Sequence, residues 1–275
     1  MIHRVFPPQQ ALRPYLRNIM VGSFRCLANH LPASPDVQLV IYLHGAGHLT
    51  GQDAGQAIPP AFIAGPRCRP LLFCVEPNSR FVAATFRPGG LLACVGIPAN
   101  LFADQMVPLE HCLGAEATVP LRERLGIARS DCAIVGLVET FLLQRLLQFR
   151  PNTSPLPLLS TDRLLAPVST LADDLALSPR QLERRFLAHA GVPLRDFRRL
   201  ARFSLVLGQL LHPAGRARGF AQLAQDGSYT DQAHFTRDFR QFIGEPPARF
   251  LKAQQQEGSI YDFWRFGPAE LQLFT

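Results

Sequence analysis

The chain has 275 residues, 47% hydrophobic and 18% charged, which is the composition of one or two globular domains with a packed core. Its six cysteines are widely spaced, lie in the first half and form no C-x-x-C pair, which argues against a disulfide framework and for reduced, mostly buried thiols in the cytoplasm. The net charge of +7 favours acidic partners, and a basic set that is all arginine except Lys252 suits bidentate contacts to phosphates and guanine edges.

In chain order, MIHRVFPPQQALRPYL has no apolar segment of the kind a signal peptide needs. DVQLVIYLHG (36–45), RPLLFCVE (69–76) and RFVAATFRP (80–88) are short apolar runs bounded by Gly, Pro and Asn, and they predict strands. HGAGHLTGQDAGQ (44–56) between them suits a connection. Phe24, Phe62, Phe73, Phe81 and Phe86 are core residues or the wall of a ligand pocket, and Arg67, Arg69, Arg80 and Arg87 are candidate anion contacts.

From about residue 98 the pattern turns helical. PANLFADQM predicts a short helix. SDCAIVGLVETFLLQRLLQF (130–149) predicts a longer one, capped by Ser130 or Asp131, with Ile134, Leu137, Val138, Phe141, Leu142 and Leu146 along one face. Glu139, Gln144 and Arg145 interrupt its apolar run, so it is expected to be too short and too polar to span a bilayer. RPNTSPLPLLS (150–160) reads as a proline-rich linker. The expected fold is therefore α+β and multidomain. It comprises a mostly-β domain with a helical extension (1–150), a linker (151–160), an all-α domain (161–255) and a tail (256–275) whose Trp264 and phenylalanines pack on the protein.

The all-α part contains a repeat. LADDLALSPRQLERRFLAHAGVPLRDF (171–197) and LAQDGSYTDQAHFTRDFRQFIGEPPARF (223–250) both open with Leu-Ala, turn, and start a second helix at a polar residue, Ser178 or Asp231. Apolar pairs four apart follow (Leu182 and Phe186, Phe235 and Phe239), with Arg184 and Arg237 two residues before the second member of each. Both units end in glycine and proline, Gly191 and Pro193 or Gly244 and Pro246. This is the pattern of a helix-turn-helix unit, whose second helix buries one face and offers the other to the major groove. Phe235, Phe239 and Phe242 are then the buried face. The outward candidates for DNA are Arg180, Glu183 and Arg184 in the first unit and Gln232, Ala233, Thr236, Arg237 and Arg240 in the second. Arginine can take guanine O6 and N7 together, and glutamine adenine N6 and N7.

Between the units, VPLRDFRRLARFSLVLGQLL (192–211) predicts a helix of roughly 18 residues, or about 27 Å. That length can hold two reading helices about one turn of B-DNA apart. Arg195, Arg198, Arg199 and Arg202 along it are phosphate-contact candidates. Residues 178–252 hold 13 Arg and Lys against six Asp and Glu, so this segment carries as much net charge as the whole chain.

On these residues, 168–251 resembles the double helix-turn-helix domain of the AraC/XylS transcriptional regulators. RPYLRNIMVGSF, DVQLVIYLHG and ATFRPGGLLACVGIPANLFADQMVPLE resemble, more weakly, a poorly characterised sensor domain joined to that module. The resemblance implies a sequence-specific, cytoplasmic transcription regulator, activator or repressor, with double-stranded DNA as partner and no cofactor. It also implies a cupin-like β-barrel at the N-terminus that binds a small-molecule effector or dimerises the protein. RNA polymerase is a further candidate partner, and no membrane is expected. The chain departs from the family pattern at Ser228, where glycine is usual, and at Ala176, so any positive φ there costs on the order of 1 kcal/mol.

Two other classes are weaker. A protein-interaction module could use the same repeat. A hydrolase or metal enzyme could use HGAGH (44–48), but no G-x-S-x-G accompanies it, and His44 and His48 sit in a glycine-rich stretch that is a poor helix for binding metal. No catalytic or metal-binding residue is therefore assigned.

Overall fold

The β-branched and aromatic runs of the first hundred residues form two antiparallel sheets. The larger consists of β1 (His3–Phe6), β2 (Leu16–Ser23), β4 (Val37–His44), β6 (Ala61–Ala64), β8 (Arg80–Phe86) and β9 (Met106–Pro108), in the order β1-β2-β8-β4-β6-β9. The smaller consists of β3 (Ala28–Leu31), β5 (Gly47–Leu49) and β7 (Leu71–Val75), in the order β3-β7-β5. The computed structural model describes residues 3–24, 27–51, 54–149, 166–212, 218–256 and 258–261. The linker at 151–160, Cys26 and the tail beyond Tyr261, with Trp264, lie outside the described residues.

Alternation along the strands gives the larger sheet two buried faces. On β8, Val82, Ala84 and Phe86 join one core, while Phe81 and Ala83 join another. The register aligns Val82 with Val21 on β2 and Ile41 on β4, so three strands contribute to one layer. The first core is closed by α1 (Gly90–Val95), α2 (Leu109–Leu113), α3 (Ala115–Ile127) and α4 (Asp131–Phe149). The second lies between the two sheets and includes Phe24, Phe62 and Phe73.

The helical extension corrects one expectation and adds one element. PANLFADQM forms a short 3₁₀ helix at Ala99–Phe102. Helix α4 is, among the described residues, long and apolar enough by length and composition to cross a membrane, contrary to the reading that it is too short and polar. Here Ile134, Val138, Phe141 and Leu142 bury its inner face on the β-domain. Its start is capped as expected, with Ser130 Oγ accepting from the Ala133 N–H at 3.2 Å. Helix α3 had no clear sequence signature, because Pro120 sits inside it. Of the thiols, Cys94 is buried, and burial pushes it up to about 12. Cys68, Cys74 and Cys112 are half-buried, and Cys132 is exposed, contrary to the expectation for most of them. All five are free.

The C-terminal part is all helical. It contains α5 (Val168–Asp174), α6 (Pro179–Ala190), α7 (Leu194–Leu211), α8 (Phe220–Asp226), α9 (Gln232–Ile243) and α10 (Pro247–Gln254). Leu171, Leu182, Phe186 and Phe197 are the centre of the first unit, and Phe203, Phe235, Phe239, Phe242 and Phe250 that of the second.

Candidate nucleic-acid interface and the cavity behind it

Helices α6 and α9 are built by the same local rules. Each has 12 residues and ends at a left-handed glycine, Gly191 (φ 85°) or Gly244 (φ 89°). Ser178 caps α6 in a reciprocal box, its Oγ accepting from the Gln181 N–H while Gln181 Oε1 accepts from the Ser178 N–H. Asp231 caps α9, accepting from the His234 N–H at 2.6 Å. The turns before the two helices are left-handed at Ala176 (φ 52°) and Ser228 (φ 56°), the two positions where glycine was missed. The second turn, 227–231, is one residue longer than the first, 175–178.

The buried faces are those expected. Leu182, Phe186, Phe235 and Phe239 are fully enclosed, and Phe242 nearly so. On the other side Arg180, Glu183, Arg184, Gln232, Ala233, Arg237 and Arg240 are exposed. Thr236 is half-buried, and its Oγ1 donates to the Gln232 carbonyl at 2.8 Å. His234 is half-buried and meets the Tyr229 ring edge-on at 5.1 Å.

Helix α7 joins the units, with Pro193 as its N-cap and 18 residues as the sequence suggested. Its four arginines do not form one outward row. Arg195 is exposed. Arg198 Nη2 donates to the Ala166 carbonyl at 2.6 Å. Arg199 Nη2 donates to Asp238 Oδ1 at 2.7 Å and to Gln241 Oε1 at 2.8 Å, and its guanidinium lies over Phe242. The hydrogen bond to Asp238 raises the Arg199 pKa against the opposing effect of burial. Arg202 Nη1 donates to the Ser228 carbonyl at 3.4 Å and lies over the Tyr229 ring. Arg199 and Arg202 therefore tie α7 to the second unit, which fixes one reading helix against the linking helix.

The β-domain holds the C-terminal ends of both reading helices. The Gly89 N–H donates to the His189 carbonyl, and the Ala33 N–H to the Phe242 carbonyl, each at 2.9 Å. His30 Nε2 donates to the Ile243 carbonyl at 2.7 Å, and the His30 N–H to the Ile260 carbonyl at 2.9 Å. The start of the tail packs here as well, with Tyr261 against His30 and Phe250. Gly191 fits tightly, since a Cβ there would lie 2.7 Å from Pro66 Cγ and 2.9 Å from the Ala99 carbonyl oxygen.

Behind this junction is a cavity of about 300 Å³. Its walls come from the inner faces of both sheets and from α7, through Ala201, Ser204, Leu205 and Gly208. Phe24, Phe62, Phe73 and Phe81 line it, whereas Phe86 faces the opposite core. Of the anion candidates, Arg67 and Arg87 line it. Arg69 is exposed outside it, and Arg80 pairs with Asp131 at 3.2 Å. Sequence reasoning missed Arg17, Asp36 and the α7 residues. Arg17 and Asp36 lie in segments read only for their apolar strand pattern, and an apolar helix face reads as core whether it meets protein or a void.

HGAGH (44–48) spans the end of β4, a bend with Gly45 at φ 84°, and the start of β5, and both histidines are exposed. Among the described residues no group of three or more His, Cys, Asp or Glu side chains is placed to hold a metal ion.

Residues 171–253 match the family model of a helix-turn-helix domain, and residues 4–108 match a domain of unknown function, DUF6597. No curated protein matches the chain. Among solved structures, ToxT from Vibrio cholerae O395 is 12% identical, with 85% of this chain and 97% of that one covered and a TM-score of 0.44. The same protein bound to (E)-4-(8-methylnaphthalen-1-yl)but-3-enoic acid gives 12% identity, 85% and 98% coverage and a TM-score of 0.45. Wild-type ToxT from Vibrio cholerae strain SCE256, bound to an unsaturated fatty acid, gives 10%, 85% and 94%, and 0.43. Residues 171–253 are an AraC-type helix-turn-helix domain, and the chain that carries them is a DNA-binding transcription regulator.

Proposed function

We propose that the protein reads two adjacent major-groove segments through α6 and α9, and that a small molecule in the cavity behind them controls this. The observation that carries the reading is the equivalence of the two helices. They share capped starts, left-handed glycine ends, one phenylalanine-rich buried face and one exposed face of Arg, Gln and Glu. Arg184 and Arg237 are assigned to base edges, with Arg180, Glu183, Gln232, Thr236 and Arg240 beside them, and Ala233 makes the second unit the less polar reader. Arg195 is assigned to phosphate, while Arg198, Arg199 and Arg202 act first as braces and only secondarily as phosphate contacts.

Control by a small molecule rests on the shared wall. Helix α7, which links the reading units, also closes the cavity of the β-domain. A ligand that fits one position of α7 better than another shifts the protein towards it, and only that difference in affinity can do so. A second copy of the chain and RNA polymerase complete the partners of this reading, which places the protein in the cytoplasm.

The test is selection of bound sequences from a random DNA pool with the full-length protein near physiological salt. Two short conserved blocks about one helical turn apart are expected. A single block makes α9 a backbone grip, and no enrichment refutes sequence-specific reading.

A further inference from the structure

The cavity is apolar over most of its wall and cationic at one end. Arg17, Arg67 and Arg87 converge there with Asp36, and Asp104 lies near Arg67. The carboxylates have other bonds. Asp36 holds Arg17 at 2.9 Å, and Asp104 accepts from the Cys68 N–H at 2.9 Å. Arg87 spends its Nε on the Arg13 and Leu16 carbonyls, both at 3.0 Å, which leaves its two amino groups. Arg67 is half-buried, and its Nε, shielded from solvent, has no hydrogen-bond partner. Burial pulls the Arg67 pKa down while the charges of Asp36 and Asp104 hold it up, and burial and the Arg17 charge both pull Arg87 down. A buried donor left unpaired is costly, and a guanidinium is shaped to bind a carboxylate in two-point contact.

We propose that the cavity binds a small monocarboxylate, with its acid group on Arg67 and Arg87 and its apolar body against Phe24, Phe62 and Phe73. The inference rests on the reading of the cavity as a small-molecule site and deepens it. Of the charged side chains that line the cavity, Arg17 is paired with Asp36, which leaves Arg67 and Arg87 to meet the acid group of an anionic ligand. A neutral ligand leaves these partly buried guanidinium groups without an anionic partner. The body must be apolar because the phenylalanines offer no polar atom. Through Ala201 and Ser204 it also touches the helix that joins the reading units.

The test is calorimetric titration of the full-length protein at pH 7 with 4-phenylbutyrate and with its neutral counterpart, 4-phenylbutyramide. The acid is expected to bind at least about tenfold more tightly than the amide. Arg67→Met should remove the difference. Asp36→Asn should tighten the acid and leave the amide unchanged, a gain that damage to the fold does not produce, so it carries the test if the Arg67 variant fails to fold. Equal binding of acid and amide to the native protein overturns the acid assignment and leaves the small-molecule reading intact. Binding of neither overturns the assignment too. If Ser204→Phe, which fills the cavity from α7, then leaves operator affinity unchanged, the small-molecule reading falls with it.

Discussion

Gly191→Ala and Gly244→Ala form a matched pair that measures how firmly the two parts of the protein are joined. Both glycines end a reading helix in the left-handed region, at φ 85° and 89°. An alanine there costs about 1–2 kcal/mol, and both positions carry that cost. The surroundings differ. At Gly244 the nearest atom to an added methyl is Pro70 Cγ at 3.8 Å, an ordinary contact. At Gly191 the methyl would meet a proline ring at 2.7 Å and a backbone oxygen at 2.9 Å, neither of which can swing aside. Overpacking of this kind adds about 1–3 kcal/mol. The reduced freedom of the unfolded chain is the same in both variants and cancels in the comparison. Gly191→Ala should therefore be the less stable by about 1–3 kcal/mol, at roughly 2–4 °C of midpoint per kcal/mol. Thermal melts of the two full-length variants measure the difference. Equal midpoints would mean that the end of α6 does not rest on Pro66 and Ala99 in solution, and the picture of a β-domain clamping the reading helices would have to be abandoned.

Arg184→Ala should lose about 1–3 kcal/mol at one base position and relax specificity there, measured by binding to single-substituted operators, whereas a uniform loss across sequences would make it a phosphate contact. Ala176→Gly and Ser228→Gly should each relieve a left-handed residue and raise stability by up to about 1 kcal/mol, and a lowered melting point would show that these turns carry no strain. His3, His30 and His189 are held neutral, burial being the main cause, with values lowered to about 3, 4 and 4. Their folded values lie below the unfolded one, so the unfolded chain takes up protons first. Their contribution is full above about pH 6.5 and is lost as pH falls from there towards 4, at up to about 1.4 kcal/mol per pH unit for each histidine. Melts between pH 7 and 5 should show the decline, and His30→Gln should make it shallower by one proton.

What could be read from the sequence follows from how local each feature is. The reading helices, expected at 179–189 and 231–242, were legible to within a residue, because Ser178, Asp231, Gly191 and Gly244 mark their ends by backbone chemistry that needs no distant partner. Their buried phenylalanines were legible because helical spacing puts them on one face. The partners of Arg199 and Arg202 were not, since Asp238 and the Ser228 carbonyl come close only when the second unit folds back on α7. An arginine on a predicted helix looks alike whether it faces phosphate or a buried carboxylate. The strands were found by composition, but their order was hidden. The β2–β8 pairing brings together residues more than 50 positions apart, and it sets Met20 of β2 beside Phe81 and Ala83 of β8 in the cavity wall. Phe81 and Phe86 illustrate the limit, for both sit on β8 and both are buried, yet the period of two sends them to opposite cores.

The same period makes the protein easy to diversify. Along β8 the residues packed under α1–α4 and those that face the cavity alternate, so Phe81 or Ala83 can be exchanged without touching Val82 or Ala84. The scaffold and the pocket are written in the same seven letters but inherited almost independently. Single replacements at every second position of β8 can thus reshape the cavity wall, while the packing of the sheet against α1–α4 stays as it was.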